Sequence, residues 1–163
     1  MDRAVLREKL HLSGIDSHAA ALARRHGLGF EVTAFCQAVM LEDADARAAA
    51  EAEAAGLEKL WLHAPFAELC PCAIDPLVRQ ATAQRYRQTI AVARQMGIRR
   101  IVIHDGFVPF VYFPEWFVAQ SVDFWRGFLP QVPADMTIAL ENVMDDGPEM
   151  LAEIMAGVDA ICR

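Results

Sequence analysis

The chain has 163 residues, 55% hydrophobic and 23% charged, a composition that suits one domain over residues 1–163 with a substantial core and argues against disorder. Its formal charge of −7, with no Lys/Arg-rich run, lacks the electrostatic footprint of a partner for nucleic acid or an anionic membrane. No apolar run reaches the ~18 residues of a membrane span, and the charged start Met1-Asp2-Arg3-Ala4-Val5-Leu6-Arg7-Glu8-Lys9 has no signal-peptide core, so the expectation is a cytoplasmic protein. Cys36, Cys70, Cys72 and Cys162 are too scattered for a disulfide scaffold and are read as reduced thiols.

In chain order, Lys9 to Ser13 predicts a short strand, and Asp16-Ser17 an N-cap for an alanine-rich helix, Ala19 to His26, closed by Gly27. Phe30 to Phe35 is a second strand, followed by a charged helix from Leu41 to Ala55 that Gly56 stops. Leu60-Trp61-Leu62-His63 is a third strand, leading through Ala64-Pro65 to a loop with Cys70-Pro71-Cys72. Asp75 as N-cap, Pro76 at the first position and Tyr86, Ile90, Ala93 and Met96 at helical spacing define the third helix, ended by Gly97. Ile101-Val102-Ile103-His104-Asp105-Gly106 is an uninterrupted apolar run, expected to be a strand buried on both faces. An aromatic segment, Phe107 to Pro114, leads to a helix from Glu115 to Leu129. Ile138-Ala139-Leu140-Glu141 forms the fifth strand ahead of Asn142, Gly147-Pro148 starts a last helix through about Ala156, and Ala160-Ile161-Cys162 resembles the opening of a sixth strand.

Strands alternating with helical stretches imply an α/β fold of repeated βαβ units with parallel strands. An eightfold β/α barrel takes about 250 residues, so five units correspond to the N-terminal five-eighths of a TIM-type barrel. The competing architecture is an open doubly wound sheet. No strand is followed by a glycine-rich phosphate fingerprint, and polar groups close three consecutive strands, which favours the barrel.

His63, His104 and Glu141 are those three groups. Two imidazoles and a carboxylate suit a divalent metal, Zn, Mn or Fe, better than Mg. Enolising an α-hydroxy carbonyl needs a base beside the carbon and a Lewis acid on the oxygens; a strand-end carboxylate at a metal meets both needs. The same ligands around a metal-bound water also suit phosphodiester hydrolysis, and ligand identity does not separate the two. Taken singly, either histidine has a plain structural reading, as a hydrogen-bonded strand end. His63 and Asn142 are expected substrate contacts, and Phe110 and Trp116 candidates to stack on a sugar ring, unless the aromatic segment covers the barrel mouth or an interface. Cys70-Pro71-Cys72 offers soft ligands near His63, but one Cys-x-Cys without a second pair is a weak zinc signal. His11, His18 and His26 read as structural or solvated.

Leu62-His63-Ala64-Pro65, Val102-Ile103-His104 and Ala139-Leu140-Glu141-Asn142 together resemble the xylose isomerase-like barrel superfamily, which includes sugar and sugar-phosphate isomerases and epimerases, inosose dehydratases and the apurinic endonuclease IV class. The resemblance implies that Glu141 binds a divalent metal and serves as proton-transfer base, with His104 and His63 as metal or substrate contacts. It also implies further ligands from strands six to eight. The expected function is metal-dependent isomerisation or epimerisation of a sugar, sugar phosphate or polyol, with alternatives in an endonuclease-IV-like phosphodiesterase or a non-catalytic binding or assembly module. Open edge strands further imply a homo-oligomer or a complementing fragment.

Overall fold

The structure is a computed structural model that describes residues 3–159. Two of its helices start where an aspartate side chain accepts the first free N–H groups. Helix α1 covers Arg3–Lys9, strand β1 His11–Ser13, helix α2 Ala19–His26 and strand β2 Gly29–Val32. A 3-10 turn, Ala38–Glu42, precedes α3, Ala44–Ala54, whose N-cap Asp43 accepts the N–H groups of Asp45 and Ala46 at 2.9 and 3.0 Å. Strand β3 is Leu60–His63 and α4 is Pro76–Gln95, capped by Asp75 Oδ1, which accepts the Leu77 N–H at 2.7 Å. Strand β4, Arg100–His104, helix α5, Pro114–Phe128, strand β5, Thr137–Glu141, and helix α6, Glu149–Asp159, follow. Gly97 leaves α4 at φ +74°, a backbone angle that glycine adopts without a Cβ penalty.

The five strands form one parallel sheet in the order β1-β2-β3-β4-β5, each beside its neighbour in sequence. That order settles the competition between architectures. A doubly wound sheet reverses direction at a switch point, whereas winding that always advances by one strand is that of a β/α barrel. The register puts Phe30, Leu60, Val32, Leu62, Ile101 and Ile138 on one face. The helices cover this face: Phe30, Val32, Leu62 and Ile101 are fully buried, among Ala23, Tyr86, Ala93 and Phe117. Burying such a side chain contributes roughly 1.5–3 kcal/mol.

Between α4 and α5 lies an aromatic cluster in which Tyr86 stacks on Trp125 at 6.0 Å while Phe124 and Phe128 meet both rings. Helix α6 then sits close on α5, because a Cβ on Gly157 would fall 2.6 Å from Val122, and Arg126 donates to the Gly157 carbonyl at 2.7 Å. No helix among the described residues is long and apolar enough to cross a membrane.

Five expectations are corrected. Helix α1 precedes the first strand, where no helix was expected. Strand β2 ends at Val32 rather than Phe35, and the second helix begins at Ala44 rather than Leu41 because Asp43 is the group that caps it. Asp16 does not cap α2; its carboxylate accepts the His18 N–H at 2.8 Å, one residue ahead of the helix. Strand β4 is not buried on both faces: Ile101 and Ile103 are, but Val102 and His104 point to the opposite, inner face and are partly exposed. The proposed strand at Ala160-Ile161-Cys162 lies outside the described residues.

On that inner face His11 lies across Gly29. Its Nδ1 donates to the Lys9 carbonyl at 3.3 Å and its ring meets Trp61 edge-on at 5.8 Å, while any Cβ on residue 29 would overlap the imidazole. Gly29→Ala is therefore expected to destabilise the fold by about 1–3 kcal/mol and to change Trp61 emission; an unchanged denaturation midpoint would refute this role for the glycine. Trp125→Ala, which empties the centre of the aromatic cluster, is expected to cost about 3–5 kcal/mol, measured by urea unfolding followed by near-UV circular dichroism.

Candidate metal centre

Side chains alternate along a strand, so burying the apolar set on the helix side forces the intervening residues inward. Glu31 pairs in register with Trp61, His63 with Val102, Val102 with Ala139, and His104 with Glu141. Val102 and Ala139 are small. They leave room above them for the residues at the ends of β3, β4 and β5, which are His63, His104 and Glu141.

The three side chains converge. His63 Nε2 and His104 Nε2 are 3.1 Å apart, and Glu141 Oε2 is 3.5 Å from the first and 3.6 Å from the second. Among the described residues these are the one group of three His, Cys, Asp or Glu side chains spaced to share a metal ion. Two ligand atoms held 2.0–2.1 Å from a tetrahedral cation are separated by about 3.4 Å, and the observed edges of 3.1 to 3.6 Å bracket that value. His63 is oriented for this role: its Nδ1 donates to the Ala64 carbonyl at 2.7 Å, which selects the tautomer with the free lone pair on Nε2. Residues and spacing therefore fit a divalent cation.

The surroundings favour the neutral form of His104. Burial, and secondarily the nearby His63, push the His104 pKa down against an opposing effect of Glu141. Phe66 stacks on His104 at 4.5 Å and meets His63 edge-on at 5.6 Å, walling the pair on one side. Glu31 lies deeper on the same face, its carboxyl pushed up by burial and by the Glu141 charge although His63 and the Ser13 hydroxyl pull it down. It lines an open cavity of about 380 Å³ with His11, Trp61, Val102, Glu141 and Asn142. Asp105, the residue after His104, is 2% exposed; burial and the adjacent Asp145 raise its carboxyl to about 7, although the Phe107 N–H donates to it at 3.0 Å.

The residues singled out in the sequence fare unequally. His63, His104 and Glu141 are brought together, and Asn142 stands exposed at the rim of the inner cavity. Phe110 does not reach the centre; it is fully exposed, at φ +66°, beside a separate cavity with Pro109, Met144 and Glu149. Trp116 stacks on Tyr112 at 5.3 Å instead. Cys70 and Cys72 are not members of the metal-spaced group. His11 is half-buried on the inner face, where burial lowers its pKa, while His18 and His26 are exposed. Sequence reasoning missed Glu31 and Phe66. A lone acid between apolar neighbours in Phe30-Glu31-Val32 signals an inward carboxylate, whereas nothing local to Phe66 shows that it folds back over His104.

Comparisons with known proteins agree with this fold. An uncharacterized protein of Methanocaldococcus jannaschii is 27% identical over 113 residues, covering 63% of this chain and 38% of that protein. A D-tagatose 3-epimerase-like protein superposes with a TM-score of 0.65 at 19% identity, over 88% of this chain and 58% of that one. A Thermus thermophilus protein whose crystals were soaked in ZnCl2 gives 0.62 at 24% identity, over 91% and 61%. D-psicose 3-epimerase crystallised with D-fructose gives 0.59 at 15%, over 87% and 56%. This chain thus spans less than two thirds of the length of each of these four proteins. Sheet order, parallel pairing and a match over residues 20–161 converge on one assignment: the chain belongs to the xylose isomerase-like TIM barrel family.

Proposed function

We propose that His63, His104 and Glu141 hold a divalent metal, Zn, Mn or Fe, at which a sugar, sugar phosphate or polyol is isomerised or epimerised by proton transfer at the carbon next to a carbonyl. The observation that carries this reading is the triangle of Nε2, Nε2 and Oε2 atoms with edges of 3.1, 3.5 and 3.6 Å. The sugar-directed names of two structural neighbours support the substrate class.

Bound there, a divalent cation supplies Lewis-acid polarisation of the substrate's carbonyl and hydroxyl oxygens. The protein's own part is to hold and to transfer. The Ala64 carbonyl keeps the His63 Nε2 lone pair turned inward. Glu141, half exposed at the mouth, takes the proton from the substrate carbon and returns it to the neighbouring carbon for isomerisation; epimerisation instead returns a proton to the opposite face of the same carbon and needs a second acid facing Glu141 across the substrate. Phe66 shields the two imidazoles, and the inner cavity beneath Asn142 offers Glu31 and Trp61 as contacts for hydroxyl groups. Phosphodiester hydrolysis would use the same ligands, but a chain of charge −7 lacks the cationic surface that a polyanion requires.

The purified protein is expected to hold near-stoichiometric Zn, Mn or Fe by elemental analysis, and Glu141→Ala to weaken binding by about 10- to 100-fold; equal metal content in the two proteins would sink the assignment. Because His104 must shed a proton to bind and burial holds its pKa below the usual 6.5, metal affinity should persist to below pH 6.5 and fall as pH drops further through the lowered His104 pKa, read by titration with a chromophoric chelator. Incubated with ketoses in deuterium oxide, the metal-loaded protein should wash deuterium into the carbon next to the carbonyl, with Glu141→Gln slowing exchange by about 10²- to 10⁴-fold. Metal-dependent cleavage of abasic-site DNA without such exchange would favour the hydrolytic reading.

A further inference from the structure

The Cys70-Pro71-Cys72 turn between β3 and α4 carries chemistry that the metal centre does not use. The two Sγ atoms lie 3.4 Å apart, and Tyr112 Oη is 3.3 Å from Cys70 Sγ. Neighbouring groups fix the turn in place. The Cys70 N–H donates to Thr82 Oγ1 at 3.0 Å, the Ala73 N–H donates to the Cys70 carbonyl at 3.2 Å, and Pro71 packs so near Gly106 that a Cβ there would meet its Cδ at 3.3 Å. The two sulfurs are placed differently. Cys72 is fully buried, whereas Cys70 is partly exposed on the wall of a cavity of about 330 Å³ that it shares with Phe66, His104, Tyr86 and Tyr112. One sulfur thus faces an entry path, and the other waits behind it.

We propose that Cys70 and Cys72 form a redox-active dithiol whose reaction partner is a low-molecular-weight disulfide of the glutathione type, with Cys70 as attacking and Cys72 as resolving thiol. In the first step Cys70 sulfur attacks one sulfur of the disulfide R–S–S–R. The Cys70–SR bond forms, the R–S–S–R bond breaks, and the released thiolate takes up the Cys70 proton. In the second step Cys72 sulfur attacks Cys70 Sγ, expelling the remaining RS group as a thiolate, which takes up the Cys72 proton. The protein loses two electrons and two protons, and the small disulfide is reduced to two thiols.

The electrostatics of the pair match these roles. Hydrogen bonds from Cys72 and Tyr112 hold the Cys70 thiol at about 6 despite partial burial, while the hydrogen bond to Cys70, then burial and the Cys70 charge, push Cys72 up. A disulfide requires an S–S distance of about 2.05 Å, so the sulfurs must close on each other by side-chain rotation within a loop of one intervening residue. Bond formation also takes Cys70 from Tyr112, whose ring stacks on Trp116, so tryptophan emission reports the change.

The test exposes the purified protein to glutathione disulfide at pH 6, quenches with acid, blocks free thiols and locates modifications by peptide mass spectrometry. The wild type should lose two hydrogen atoms across Cys70 and Cys72 and regain them in reduced glutathione, with Cys70 reacting about tenfold faster than Cys36. Cys72→Ser should stop at a mixed disulfide on Cys70, and Cys70→Ser should leave Cys72 untouched. A Cys70 that stays free, reacts no faster than Cys36, or retains glutathione in the wild type without passing it to Cys72 would overturn the proposal. The wild-type rate and pairing decide the matter even if a variant does not fold.

Discussion

The period-two alternation of a parallel sheet covered by helices on one face is the constraint from which the rest follows. Phe30, Val32, Leu62, Ile101 and Ile103 lose their contact with water only if they point at the helices, and each contributes on the order of 2 kcal/mol by doing so. Their alternates, Glu31, Trp61, His63, Val102 and His104, then have no choice of direction. A one-residue slip of β4 against β3 would turn His104 to the helices and expose Ile103 inward, trading a buried isoleucine for a buried imidazole. The convergence of three ligating side chains is in this sense held by apolar residues that never touch them.

Convergence has an electrostatic cost. Two nitrogen lone pairs 3.1 Å apart repel unless a proton or a cation stands between them. A shared proton is one solution, with one Nε2 donating to the other, and Glu141 close enough to favour the charged pair. Burial of His104 works against the charged form of that pair, since desolvation lowers its pKa, and leaves a neutral His104 Nε2–H donating to His63 Nε2. A divalent cation would relieve the lone-pair contact and balance the Glu141 carboxylate at once, which supports the metal site proposed above.

Much of this was legible in the residues. The third, fourth and fifth strands could be read because apolar runs ended abruptly in His63, His104 and Glu141, and α4 because Asp75, Pro76 and Gly97 mark its ends by local chemistry. What was not legible depended on contacts distant in sequence. Ile101 and Val102 look alike as residues, yet the helices cover only one of them. Phe66 and Phe110 are both aromatic residues in strand-exit loops; only the fold decides that the first stacks on His104 and the second stands in solvent. Tertiary placement, not residue type, separates them.

The position of the sulfurs bears on which metal the inner face would hold. Thiolates are softer ligands than imidazole or carboxylate and would bias a site towards Zn and Cu(I), excluding Mn. Cys70 and Cys72 come from the same β3–α4 loop as Phe66, only a few residues beyond His63, yet they hydrogen-bond to each other and to Tyr112. Pro71 against Gly106 keeps the turn at the β4 exit, and Phe66 stands over the imidazoles. The inner face is left with two nitrogens and one oxygen, a borderline set compatible with the Lewis-acid metals that enolisation uses. Keeping the thiols out of the metal-spaced group would thus preserve the ligand hardness of the proposed metal site and leave the nucleophilicity of the proposed dithiol unquenched.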